Sequence, residues 1–289
     1  MHYSRLVACD LDDTLLDNSS RLTTSTCALL RSALSDGTTA LAINTGRSLL
    51  SLHDYIRQLN ITDVPVIAET GAVLFDPLSY EVVREWILPH PVIGEVMRLM
   101  GEHDWKCTVY FIRGEHNQGL VRPGDVVIGD SEFKDISELP APLPLDQWSS
   151  LVNLDRWRKI CILGPAPKMK ELDGAMRARL GETAQIERPS GECMDIMAAG
   201  VNKGSALTVL ANLLKVRTEH VMAIGDSLAD ISMLDAAGVP VAMRNALPEV
   251  KARARYISSS NEEDGAAAAV TEFVCGHYCA EARGPVSGA

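Results

Sequence analysis

Four short polar clusters interrupt the apolar runs of this chain, each where a strand would end or a helix begin. The first is Asp10-Leu11-Asp12-Asp13-Thr14, directly after Leu6-Val7-Ala8-Cys9. Asp10 and Asp12 are two apart, so in extended chain they project to the same side. Carboxylates that close repel each other, and a hard divalent cation lets both stay ionised. The second cluster is Asn44-Thr45-Gly46-Arg47-Ser48. A hydroxyl, a small residue and free N–H groups at a helix start suit a phosphate oxygen. The third, Asn202-Lys203-Gly204-Ser205, offers a lysine to neutralise a phosphoryl oxygen. The fourth is Gly225-Asp226-Ser227-Leu228-Ala229-Asp230, where Asp226 and Asp230 share a helix face if the helix begins early.

Each cluster alone has a plainer reading. The aspartates could merely cap helices and complement their dipoles. Thr45-Gly46-Arg47 could be an ordinary turn, and Lys203 a solvated side chain. Ligands of open parallel sheets, however, sit at the carboxyl ends of the strands, and all four clusters could face one such crevice. Together they bring three or four carboxylates, one lysine and one threonine, an inventory that fits magnesium plus a phosphate.

The elements that must position them alternate in type. Short apolar runs at 6–9, 40–43 and 64–67 read as strands, with helices expected over 24–35 and 48–59. The pattern returns near the C-terminus, with helices at 202–214, 228–237, 248–255 and 265–275 and strands at 221–224, 239–243 and 256–258. Short buried strands alternating with amphipathic helices imply a doubly wound α/β sheet covered on both faces. The middle differs. Strands at 107–112 and 160–163, helices at 91–100 and 168–180, and prolines at 140, 142 and 144 describe an α+β insert. We therefore expect residues 1–83 and 191–289 to form one domain and 84–190 a second, inserted domain.

Composition narrows the class further. Of 289 residues, 46% are hydrophobic and 22% charged, which excludes a disordered or fibrous chain. The 27 basic and 38 acidic residues leave a net charge of −11, so no nucleic-acid partner is expected. The apolar run before Asp10 is too short for a signal peptide, and no run approaches the ~18 residues of a membrane span. Seven scattered cysteines read as reduced thiols. The expectation is a soluble, cytoplasmic protein with no membrane partner, a monomer or homodimer. Cys275-Gly276-His277-Tyr278-Cys279 is a poor zinc site, since on a helix His277 points about 200° away from the cysteine face.

With these motifs in hand, the chain resembles the haloacid dehalogenase superfamily, specifically its Cof-type phosphatases of subfamily IIB. The family's four motifs match Asp10 to Thr14, then Thr45-Gly46-Arg47, then Lys203, then Gly225-Asp226 through Asp230. Met243-Arg244-Asn245-Ala246 and Asn261-Glu262-Glu263-Asp264-Gly265 are similar as well. The resemblance covers residues 5–76 and 194–275 and implies a Rossmann-like doubly wound core with an inserted α+β cap domain. It implies Asp10 as nucleophile and Asp12 as acid and base. It also implies Thr45, Gly46 and Lys203 as phosphate-binding residues, and a Mg2+ cofactor held by Asp10, Asp12 through its backbone carbonyl and Asp226, with Asp230 as a further ligand or as the group orienting Lys203. The substrate would be a small phosphorylated metabolite, a sugar phosphate foremost. A phosphomutase of the same superfamily, or an idle phosphate-metabolite-binding protein, are the alternatives.

The chain departs from the family pattern at two points. Ala229 stands where the family usually has asparagine, and Thr70-Gly71 where it commonly has Asn-Gly. Threonine tolerates positive φ poorly, so a different turn is expected at Thr70. In the insert, His116, Arg122, Arg188 and Glu192 are the polar candidates for contacting a substrate.

Overall fold

A computed structural model of the chain describes residues 3–102, 108–113, 126–129 and 157–278. The short apolar runs form five strands, β1 (Arg5–Cys9), β2 (Thr39–Ile43), β11 (Val221–Gly225), β12 (Val239–Ala242) and β13 (Tyr256–Ile257). They pair in the order β13-β12-β11-β1-β2, every pairing parallel. Leu6, Val7, Ala8 and Cys9 are all fully buried, the unalternating pattern of a sheet covered on both sides. Its covering helices are α1 (Thr24–Ala33), α2 (His53–Leu59), α5 (Lys203–Leu214), α6 (Ile231–Ala236), α7 (Pro248–Lys251) and α8 (Gly265–Val274). They bury Leu30, Ile56, Leu207, Leu210, Met233 and Val270 against the strands. Among the described residues no helix is long and apolar enough to cross a membrane.

Three expected elements change shape. Residues 48–59 split into a tight turn, Leu49–Leu52, and α2. Both the N–H and the hydroxyl of Ser51 donate to the Ser48 carbonyl, closing a three-residue turn instead of a four-residue one. Residues 228–237 likewise begin with a tight turn, Leu228–Asp230, before α6. The strand expected at 64–67 lies at β3 (Val66–Ala68), where Ile67 bridges to Asn44 beyond β2. It opens an antiparallel ribbon with β4 (Val73–Phe75) and β5 (Val82–Glu85) that the sequence reading missed.

A second sheet, antiparallel throughout, runs β7-β6-β8-β10-β9. Its strands are β6 (Thr108–Arg113), β7 (Val126–Gly129), β8 (Trp157–Leu163), β9 (Ala184–Glu187) and β10 (Cys193–Ala198). Among the described residues, two helices, α3 (His90–Glu102) and α4 (Ala166–Leu180), close an apolar interior around Leu88, Ile93, Ile160, Ile162, Met169, Leu172, Met194 and Ile196. This is an α+β layer, with antiparallel strands and segregated helices. The expected boundary after residue 190 moves, because Cys193–Ala198 pairs on both sides within this second sheet. His116, Arg122, the proline run at 140–144 and Cys279 lie outside the described residues.

Candidate active site

The parallel ladder continues one residue past β1: the Asp10 N–H donates to the Ile224 carbonyl at 3.0 Å. This places Asp10, only 6% exposed, where β1 and β11 end together. Lys203 reaches the same point as the first residue of α5. That helix start is fixed by a reciprocal cap in which Asn202 Oδ1 accepts from the Ser205 N–H at 2.8 Å and Ser205 Oγ from the Asn202 N–H at 3.0 Å. Lys203 Nζ lies 2.8 Å from Asp10 Oδ1 and 2.6 Å from Asp230 Oδ1. The other oxygen of Asp230 accepts from the N–H groups of Asp226 and Ser227, at 3.0 and 2.8 Å, and from the Ser227 hydroxyl at 3.0 Å. Only glycine fits at 225, since a Cβ there would stand 2.5 Å from Asp230 Cγ.

Asp226 completes the group. Its Oδ1 accepts from Thr14 Oγ1 at 2.8 Å, and Asp10, Asp226 and Asp230 each place a ligand oxygen within 4.8 Å of the others. Three carboxylates face one lysine here, and two of them, Asp10 and Asp226, are raised. Burial raises Asp10 well above the usual carboxylate range; Lys203 opposes this, while Asp230 and Asp226 add to it. Burial and the neighbouring Asp230 push Asp226 up to about 7, against the Thr14 hydrogen bond. Lys203 is held charged, its burial outweighed by Asp10 and Asp230. Hard oxygen donors with surplus negative charge fit a magnesium-type cation.

Asp12 is turned elsewhere. Its carboxylate is 46% exposed and forms a two-pronged ion pair with Arg47, Nε to Oδ2 at 2.8 Å and Nη2 to Oδ1 at 2.6 Å. Thr45 is buried at the end of β2; its N–H donates to the Ile67 carbonyl and its hydroxyl accepts from the Arg47 N–H at 3.2 Å. Gly46 presents its carbonyl to Lys159 Nζ at 3.1 Å. Ala229 is buried, 3% exposed, with no polar side-chain atom to offer the site. Two asparagines clamp the loop after Asp10: Asn245 Nδ2 donates to the Asp13 carbonyl at 2.7 Å, and Asn261 Nδ2 to the Leu16 carbonyl at 3.0 Å.

The turn at Thr70 corrects the sequence reading. Thr70 is left-handed after all, at φ 59° and ψ 31°. The strain, about 1–2 kcal/mol, is offset by fixed partners on every side. Its hydroxyl donates to Asp195 Oδ2 at 2.6 Å and accepts from Lys159 Nζ at 3.1 Å, and its N–H donates to the Thr45 carbonyl at 3.0 Å. Beside it, Arg158 grips Glu69 with two bonds at 2.7 and 2.8 Å. These buried charges join the second sheet to the Thr45 loop. Their signal in the sequence was present but unread, in Arg158 and Lys159 opening an apolar strand and Asp195 alone inside another. Arg188, a substrate candidate, is instead consumed by the carbonyls of Cys193, Met169 and Gly191. Glu192 is exposed on the turn before β10.

A family model described as haloacid dehalogenase-like hydrolase matches residues 7–270. The 5-amino-6-(5-phospho-D-ribitylamino)uracil phosphatase YcsE of Bacillus subtilis is 29% identical over 275 residues, covering 93% of this chain and 96% of its own. Pyridoxal phosphate phosphatase YbhA of Escherichia coli is 28% identical over 279 residues, covering 95% and 98%. The solved structure of the subclass IIB sugar phosphatase BT4131 superposes with a TM-score of 0.77 at 22% identity, covering 93% and 98%, and shares the fold. With the family match running through all four polar clusters and nearly the whole chain, the protein belongs to the haloacid dehalogenase-like hydrolases, as a Cof-type phosphoric monoester hydrolase.

Proposed function

We propose that the chain is a magnesium-dependent phosphatase acting on small phosphorylated metabolites, sugar phosphates foremost, through an aspartyl-phosphate on Asp10. The observation that carries the reading is the placement of Asp10, buried at the carboxyl end of β1 and 2.8 Å from Lys203, among three carboxylates that one lysine cannot neutralise. Asp10 attacks phosphorus and the ester P–O bond breaks. Asp12, once released from Arg47 and protonated, gives the leaving alkoxide that proton, then takes one from the water that hydrolyses the aspartyl-phosphate. Lys203, Thr45 and the Gly46 backbone hold the phosphoryl oxygens. Asp10, Asp226 and the Asp12 carbonyl would hold magnesium, which would supply charge neutralisation. Asp230 has both oxygens occupied, so its role is to orient Lys203 and the 225–227 turn.

The named substrates of YcsE and YbhA are small polar phosphomonoesters, and Gln185, Glu187 and Asp195 are polar side chains on the sheet face that reaches Gly46 and Thr70. Hydroxyl-rich leaving groups suit such a face. The test is phosphate release from a panel of sugar, flavin-precursor and pyridoxal phosphates with magnesium, for the wild type and Asp10→Asn. Release by the wild type alone supports the reading. Equal release by both, or transfer of phosphate without release, overturns it.

A further inference from the structure

We propose that the second sheet carries a metal site of its own, in which Cys161, Cys193 and Asp195 seat a thiophilic divalent cation of the zinc class. The register of β8 and β10 sets Cys161 opposite Asp195 and Leu163 opposite Cys193. Side chains alternate along a strand, so Lys159, Cys161, Cys193 and Asp195 share the face opposite to Ile160, Ile162, Met194 and Ile196. That face meets the first domain, because Lys159 reaches the Gly46 carbonyl and Asp195 the Thr70 hydroxyl.

The spacing is that of a chelate. Cys161 Sγ lies 3.6 Å from Cys193 Sγ, Cys193 Sγ lies 3.8 Å from Asp195 Oδ1, and all three ligand atoms fall within 4.8 Å of one another. With Zn–S bonds of about 2.3 Å and Zn–O of about 2.0 Å at tetrahedral angles, two sulfurs stand about 3.8 Å apart and a sulfur and oxygen about 3.5 Å. Shifts of a few tenths of an ångström complete the fit between Cys193 and its two neighbours. Asp195 is prepared for the role. Its Oδ2 is held by Lys159 and Thr70, both at 2.6 Å, which fixes the carboxylate and leaves Oδ1 towards the thiols.

Donor chemistry separates this site from the aspartate cluster. Thiolates select zinc-class cations, whereas three carboxylates suit magnesium. Binding would displace the two thiol protons to solvent, and three protein ligands leave a fourth position for water. A disulfide fits the same pair poorly. Cys161 and Cys193 are diagonal neighbours across an antiparallel pair, whose Cα atoms stand about 7–8 Å apart, beyond the usual reach of about 6.8 Å.

The test is a titration of the reduced full-length chain with cobalt(II) or cadmium(II), in excess magnesium, read by thiolate-to-metal charge-transfer absorption. The expected result is one equivalent bound and displaced by zinc. Affinity should be at least about tenfold weaker in Cys161→Ser and in Cys193→Ser and unchanged in Cys275→Ser, since loss of an outer-shell partner alone costs about that much. Absence of the band, or a band that survives both serine changes at 161 and 193, overturns the proposal. Should either variant fail to fold, alkylation of the wild type mapped by mass spectrometry decides. Zinc must slow labelling of Cys161 and Cys193 at least about tenfold, and equal labelling refutes the site. Neither readout uses phosphatase activity, so failure here leaves the proposed function untouched.

Discussion

Arg47 holds the carboxylate of Asp12 by both oxygens, at 2.6 and 2.8 Å, while its guanidinium lies 5.2 Å from the centre of the Tyr55 ring. The arginine two residues beyond Thr45 is therefore the group that positions the expected acid and base. A planar two-pronged grip cannot be made by lysine. Arg47→Lys should lower kcat about tenfold or more with a smaller change in KM, because a misplaced proton donor forfeits part of the 10²–10⁴-fold such groups supply. Steady-state kinetics that show kcat unchanged would remove Arg47 from this role.

Asp10 and Asp12 of the first cluster should separate cleanly. Asp10→Asn removes the nucleophile and should abolish turnover with no trapped phospho-protein. Asp12→Asn keeps the nucleophile and should slow turnover by about 10²–10⁴-fold. Acid-quenched mass spectrometry after substrate addition checks the pair: Asp12→Asn should hold a covalent phosphate on Asp10 if hydrolysis of the intermediate is the slower step for it.

Metal-free stability should fall with rising pH. Asp226 binds its proton up to about pH 7 in the folded chain but only to about 3.8 when unfolded, and Asp10 is displaced in the same direction. The folded state thus holds more protons, so the stability that Asp226 contributes declines from about pH 4 to 7, and Asp10 adds a decline of the same sign. Magnesium should restore most stability at the alkaline end, where the carboxylates are free to bind it, and little at pH 5. Melting temperatures with magnesium and with a chelator across this range test the point. A magnesium effect independent of pH, or one retained in Asp226→Asn, would count against the cluster as the binding site.

Gly225→Ala should disable the site from behind. The added Cβ would lie 2.5 Å from Asp230 Cγ, displacing the carboxylate that orients Lys203. Overpacking of this kind costs about 1–3 kcal/mol, so the melting temperature should drop, and phosphatase activity should fall further than the loss of folded protein explains. Wild-type specific activity in the folded fraction would refute the positioning role of Asp230.

The joint between the two sheets rests on buried charge. Glu69→Ala leaves Arg158, 5% exposed, with Glu85 at 3.5 Å but without its two-pronged partner. Removing one member of a buried pair costs about 3–5 kcal/mol, and the remaining carboxylate argues for the lower end, about 3 kcal/mol. Denaturant melts of Glu69→Ala measure it; a change below about 1 kcal/mol would show the pair to be energetically idle.

What the sequence determined by itself is local. Unbroken apolar runs specified parallel strands buried on both faces, and acids, hydroxyls and a lysine at their ends specified where chemistry would lie. Asn202 and Ser205 announced the helix start that delivers Lys203. The tertiary structure decided the rest, because each deciding contact joins residues distant in sequence. Arg47 finds Asp12 across 35 positions, Lys203 finds Asp230 across 27, Arg158 finds Glu69 across 89, and Asp195 finds Thr70 across 125. Propensity alone argued against a left-handed Thr70; a buried aspartate and lysine from the second sheet hold it there. Cys193–Ala198 looked like the return to the first domain until its pairing with β8 and β9 assigned it to the second. Periodicity can say that a segment is a strand, but only the hydrogen bonds it exchanges say which sheet it completes.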